Sequence, residues 1–133
     1  MINKESDIKK TATSNVGYLV LRHDGIMTYE LLDGKFKTDM ETLSQELEVI
    51  KEWTKQSGPA PYLIDARNIK KLNHQQRQFL QDNVPVFTSK IAAIVGGGLS
   101  IYFYNLISYV YKPITPMKAF KTIEEAFNWL NEK

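Results

Sequence analysis

Residues 62–69 read Tyr62-Leu63-Ile64-Asp65-Ala66-Arg67-Asn68-Ile69. Three apolar residues run straight into an aspartate, an arginine and an asparagine. A short apolar run bounded by polar residues fits a strand buried on both faces. Such a strand delivers Asp65 to its end, where open α/β sheets gather functional groups. On its amino side Ser57-Gly58-Pro59 closes a helix, because Gly58 suits a left-handed cap and Pro59 blocks continuation. On its carboxyl side residues 68–72 form a connector. Asn73 and Gln76 then have the spacing of a capping box, which predicts a second helix ending near Asn83, before Val84-Pro85. Helix, buried strand and helix in this order predict crossover units around a partly parallel sheet.

Working toward the amino terminus, Met40, Leu43, Leu47 and Ile50 repeat at helical spacing, with Trp53 or Thr54 continuing the stripe. Thr38 and Glu41 stand three apart and suggest the cap of that helix. Before it, residues 26–32 and 16–22 read as strands joined through His23-Asp24-Gly25, an Asp-Gly hairpin signal. The 16–22 strand is apolar on both faces and suits a central place. Asp33-Gly34 marks a further turn, and residues 8–12 a short first strand.

Working toward the carboxyl terminus, residues 90–95 form a buried strand, and Gly96-Gly97-Gly98 the turn after it. An aromatic-rich helix is expected over 99–109, with Leu99, Tyr102, Phe103, Leu106, Ile107 and Val110 in a wide apolar stripe. Residues 112–116 form an extended exit and 117–120 a last strand. Thr122 with Glu125 caps the last helix, whose inner stripe is Ala126, Phe127 and Leu130, with Trp129 flanking.

Composition bounds the function. The 133 residues make one domain with an ordinary globular balance of 43% hydrophobic and 24% charged residues. Seventeen basic against fifteen acidic residues leave a net charge of +2, too little for a nucleic-acid surface. Cysteine is absent and histidine occurs twice, which excludes disulfides, thiolate metal sites and three-histidine centres. No apolar run reaches the roughly 20 residues that a bilayer needs. The start Met1-Ile2-Asn3-Lys4-Glu5 lacks a signal-peptide core, so a cytoplasmic location is expected.

The stretch 62–69 resembles the third-strand region of the STAS or SpoIIAA-like fold. Small uncharacterised bacterial proteins of that fold share similar segments, here Leu63–Arg67, Ala92–Ile94, the Tyr104-Asn105 pair and the run Phe120–Leu130. The resemblance spans roughly residues 8–131. It implies an α/β, SpoIIAA-like mixed sheet with an opening β-hairpin and about four helices. Anti-sigma-factor antagonists of that fold carry a phosphorylated serine in an M-D-S-S-G turn that opens the second helix. This chain has Leu72-Asn73-His74-Gln75-Gln76 there, with no hydroxyl to take phosphate. What the resemblance leaves is a phosphate-independent, non-enzymatic regulatory or protein-interaction role, on a face made of Asp65, Arg67, Asn73, His74 and Arg77.

The other candidates carry less chemistry. Neither His23 nor His74 has triad spacing to a nucleophile and a carboxylate, so no catalytic residue is assigned. Gly96, Gly97 and Gly98 with Ser100 make a possible anion-binding turn before a helix. They match neither the P-loop nor the dinucleotide fingerprint, and no cofactor is expected. A close-packed turn in which side chains would collide is the plainer reading of the glycines. Arg67, Lys70, Lys71 and Arg77 form a basic stretch whose plain reading is a solvated face.

Tyr102, Phe103 and Tyr104 are consecutive on the aromatic helix and cannot all face one sheet. Two readings follow, a homodimer surface and a pocket for a small molecule or lipid. For the dimer, sedimentation at tens of micromolar should show a two-chain species that Tyr104→Glu weakens. A single-chain species there contradicts the dimer.

Overall fold

A computed structural model describes residues 2–35, 37–69, 72–96 and 115–132. Six strands form one sheet in the order of the chain: β1 (Ile8–Thr13), β2 (Gly17–Arg22), β3 (Met27–Leu31), β4 (Ala60–Asp65), β5 (Thr88–Ile94) and β6 (Met117–Phe120). β1, β2 and β3 pair antiparallel as a meander, and β3 to β6 run parallel. Three α-helices are present among the described residues: α1 (Met40–Thr54), α2 (His74–Asn83) and α3 (Ile123–Asn131). A short 3₁₀ turn, Val84–Phe87, joins α2 to β5. The aromatic helix expected over 99–109 lies outside the described residues.

Parallel pairing requires a crossover at each step, and α1 and α2 supply two of them. Both pack on the same sheet face, where Leu19, Met27, Tyr29, Tyr62 and Ile91 meet Ile50 of α1 and Val84. The opposite face collects Ile26, Leu63, Ala92, Ile94 and Phe120 under Ala126 and Leu130 of α3. Consecutive β4 residues thus feed two cores: Tyr62 faces α1, and Leu63, wholly buried, faces α3. Near-continuous apolarity in the 62–64 run is the signature of that double burial.

The local signals are realised with few changes. Gly25 takes φ +88° in the β2–β3 hairpin, where the Arg22 amide donates to the Ile26 carbonyl at 2.9 Å. Beyond the end of α1, Gly58 takes φ +85° and donates its amide to the Thr54 carbonyl. Asn73 and Gln76 close the expected box on α2, and Thr122 caps α3.

One reading needs correction and two gain detail. The α1 cap is Asp39, not Thr38: its carboxylate accepts the Thr42 amide at 2.7 Å. Thr38 stands one residue too early, and its carbonyl serves α2 instead. β2 is an interior strand, second from the edge and paired with both β1 and β3, and its Leu19 and Val20 are buried on opposite faces. At Gly96 an added Cβ would meet nothing within 4 Å among the described residues, and Gly97 and Gly98 lie outside them.

The carboxyl end of α3 rests on Lys90 of β5. Its ammonium donates to the Trp129 and Glu132 carbonyls, both at 2.9 Å, and lies 4.9 Å from the Trp129 ring centre. A cation there satisfies the carbonyls that a helix end leaves open.

Candidate functional site

All parallel strands end on one edge of the sheet. β4 ends there in Asp65, β3 in Leu31 and β5 in Ile94. β4 delivers Asp65 to this edge with Arg67 just after it, and α2 begins at His74 behind its Asn73 cap, so in chain order Asn73, His74 and Arg77 follow the same strand end. Sequence spacing alone predicts this order, because both connector and helix start follow the same strand end.

Asp65 and Arg67 lock onto each other. The guanidinium donates to both carboxylate oxygens, at 2.9 and 2.7 Å, and the Arg67 amide donates to the carboxylate at 3.2 Å. Burial alone pushes the Asp65 carboxyl up; the Arg67 hydrogen bonds and charge outweigh it and hold the group below the usual carboxylate value. The same bonds to Asp65 raise Arg67, against a smaller opposing effect of burial. Asp65 is half-buried and Arg67 exposed, so the pair presents a fixed guanidinium to solvent.

The first turn of α2 is satisfied from within. Asn73 Oδ1 accepts the Gln76 amide at 2.8 Å, and Gln76 Oε1 accepts the Asn73 amide at 2.9 Å. Gln76 Nε2 also donates to the Thr38 carbonyl at 3.0 Å, which ties the start of α2 to the start of α1. Arg77 donates to the Leu72 carbonyl at 2.7 Å. With the cap closed, His74, Gln75, Arg77 and Gln78 are left exposed along the helix. Asn73 therefore has a structural task, whereas no hydrogen bond occupies the His74 side chain among the described residues.

An open polar cleft of about 180 Å³ adjoins Asp65, lined by Glu30, Leu31, Asp33, Asp65 and Asn68. Sequence reasoning missed Glu30 and Asp33, which reach the site only through the β3–β4 pairing. No group of three or more histidine, aspartate or glutamate side chains is placed to hold a metal ion among the described residues. Neither His23 nor His74 hydrogen-bonds a hydroxyl or a carboxylate through its ring there; His23 is an exposed turn residue whose amide donates to the Asp7 carbonyl. Of the proposed anion turn, Gly96 is exposed, and Gly97, Gly98 and Ser100 lie outside the described residues. Tyr102, Phe103 and Tyr104 lie outside them too.

A family model for a domain of unknown function, DUF7793, matches residues 20–133. The chain belongs to that family. Among solved structures it is similar to an uncharacterised protein of the DUF3478 family from Shewanella loihica PV-4, described as having a SpoIIAA-like fold. The two share 15% identity with a TM-score of 0.64, over 98% of each chain. Agreement of that extent at that identity concerns the fold alone, and this DUF7793 domain has the SpoIIAA-like fold. No curated protein matches the chain. No helix among the described residues is long and apolar enough to cross a membrane.

Proposed function

We propose that this domain is a non-enzymatic protein-interaction module that docks a regulatory partner through the β4–α2 connector and the exposed side of α2. The observation that carries the reading is the closed Asn73–Gln76 box. It fixes the start of α2 while leaving His74 and Gln75 exposed for a partner, with Arg77 held by the Leu72 carbonyl and Arg67 held in place by Asp65. Pre-positioned arginine and histidine side chains on a rigid element bind at a low ordering cost. With asparagine and histidine where related switches carry a phosphorylated serine, such docking is constitutive.

Capture from the producing cell's lysate tests this with three immobilised proteins. Wild type and a Lys55→Ala control at the far end of α1 should retain the same partner. The double variant Arg67→Ala/His74→Ala should lose it while melting within a few degrees of wild type, because both side chains are solvent-facing and a pair with one exposed partner contributes about 1 kcal/mol. Equal retention by the double variant, or no partner retained by wild type, contradicts the proposal.

A further inference from the structure

Glu46 stands outside the site just described. It is a carboxylic acid on the buried side of α1, only 6% exposed. Its Oε2 accepts from the Ser14 hydroxyl at 2.7 Å and from the Tyr29 hydroxyl at 2.9 Å. Ser14 belongs to the β1–β2 turn, where its oxygen also accepts the Val16 and Gly17 amides, and Tyr29 belongs to β3. One carboxyl group thus joins α1 to two parts of the opening meander. Gly17 makes the room: an added Cβ there would stand 2.5 Å from the Tyr29 ring and 2.6 Å from Glu46 Oε2.

What the group lacks among the described residues is a cation. Among the described residues, the titratable groups that face it are the Tyr29 phenol from β3 and the Tyr62 phenol from β4, with Asp39 at the α1 cap. No lysine, arginine or histidine pairs with it among the described residues. Burying an ionised carboxylate without a counter-charge is costly, whereas the neutral acid carries no such penalty. We propose that Glu46, Tyr29 and Ser14 form a proton-linked latch between α1 and the opening strands, which holds more firmly as the medium acidifies.

The electrostatics run the same way. Burial raises the Glu46 carboxyl, the Ser14 and Tyr29 hydroxyls pull it back, and Asp39 adds to the rise; the net direction is upward. Both phenols are pushed up, first by burial and then by the Glu46 charge, so they remain protonated. A raised carboxyl contributes stability that is fully present below its unfolded value and is lost as pH rises through its folded value.

Urea unfolding of the wild type and Glu46→Gln, from about pH 8 to about pH 5, isolates this group, since the variant cannot titrate there. The wild-type midpoint should shift toward higher urea relative to the variant as pH falls. A constant difference, or one that moves the other way, overturns the latch. If the variant does not fold, carbon-13 titration of the wild-type Glu46 carboxyl decides. A midpoint above the ordinary glutamate value of about 4.3 supports the proposal, and one at or below it is contrary. Tyr29→Phe removes a donor to the ionised form, so it should move that midpoint further upward; an unmoved midpoint also overturns the proposal.

Discussion

Gly17→Ala should destabilise the domain by about 3 kcal/mol, an overpacking penalty at the upper end of its usual range. The backbone at Gly17 is ordinary strand; the cost lies in the space its side chain would take. The new methyl would overlap the Tyr29 ring and the Glu46 carboxylate, both buried. Swinging Glu46 aside would break its bonds to Ser14 and Tyr29 and leave a buried acid without donors, itself a loss of about 1–3 kcal/mol. Gly96→Ala is the matched control, because nothing among the described residues lies within 4 Å of its added Cβ; it should change stability by less than about 0.5 kcal/mol. Urea denaturation of both variants provides the check. Similar losses at the two positions would contradict the described packing around Gly17.

Leu63→Ala should cost a similar amount, about 3 kcal/mol, for a different reason. Leu63 has no exposed surface and sits in β4 between β3 and β5. Its side chain fills the space among Ile94, Phe120, Ala126 and Leu130. Neighbours on a six-stranded sheet cannot close over a deleted isobutyl group without moving strands, so a cavity remains. Against a total stability of roughly 5–15 kcal/mol, a loss of this size lowers the melting temperature by many degrees. A melting temperature within a degree or two of wild type would place Leu63 outside the core.

The two substitutions also mark what the sequence made legible. Leu63 was readable because β4 is buried on both faces and shows it as an unbroken apolar run before Asp65. The α2 box was readable because a cap is local: Asn73 and Gln76 are three residues apart and satisfy each other. The α1 cap was misplaced by one residue because Thr38 and Asp39 both suit the role, and local spacing does not choose between them. Long-range partners were not readable. The Gln76–Thr38 bond spans 38 residues and the Ser14–Glu46 bond 32, so both depend on how the crossovers pack.

One signal was nevertheless present. Glu46 falls within the stripe Leu43, Leu47 and Ile50 at helical spacing, so an acid on that stripe had to be buried. A glycine at the start of the largely apolar β2 was its complement, since glycine in a strand often marks a close approach. Of the candidate site, the delivery of Asp65 to the strand end with Arg67 just after it followed from chain order. The Asp65–Arg67 lock and the neighbouring Glu30 and Asp33 required the strand register.

The central claim is that a partner docks on the exposed side of α2. Photo-crosslinking in living cells tests it most directly, with a photoreactive residue at Gln75 on the first turn of α2 or at Gln56 beyond the opposite end of α1. Both positions are exposed, and neither side chain makes a hydrogen bond among the described residues. A discrete heteromeric adduct from position 75 that is absent from position 56 and lost with Arg67→Ala is the predicted result. Adducts of equal yield from both positions, or none from position 75, would contradict it.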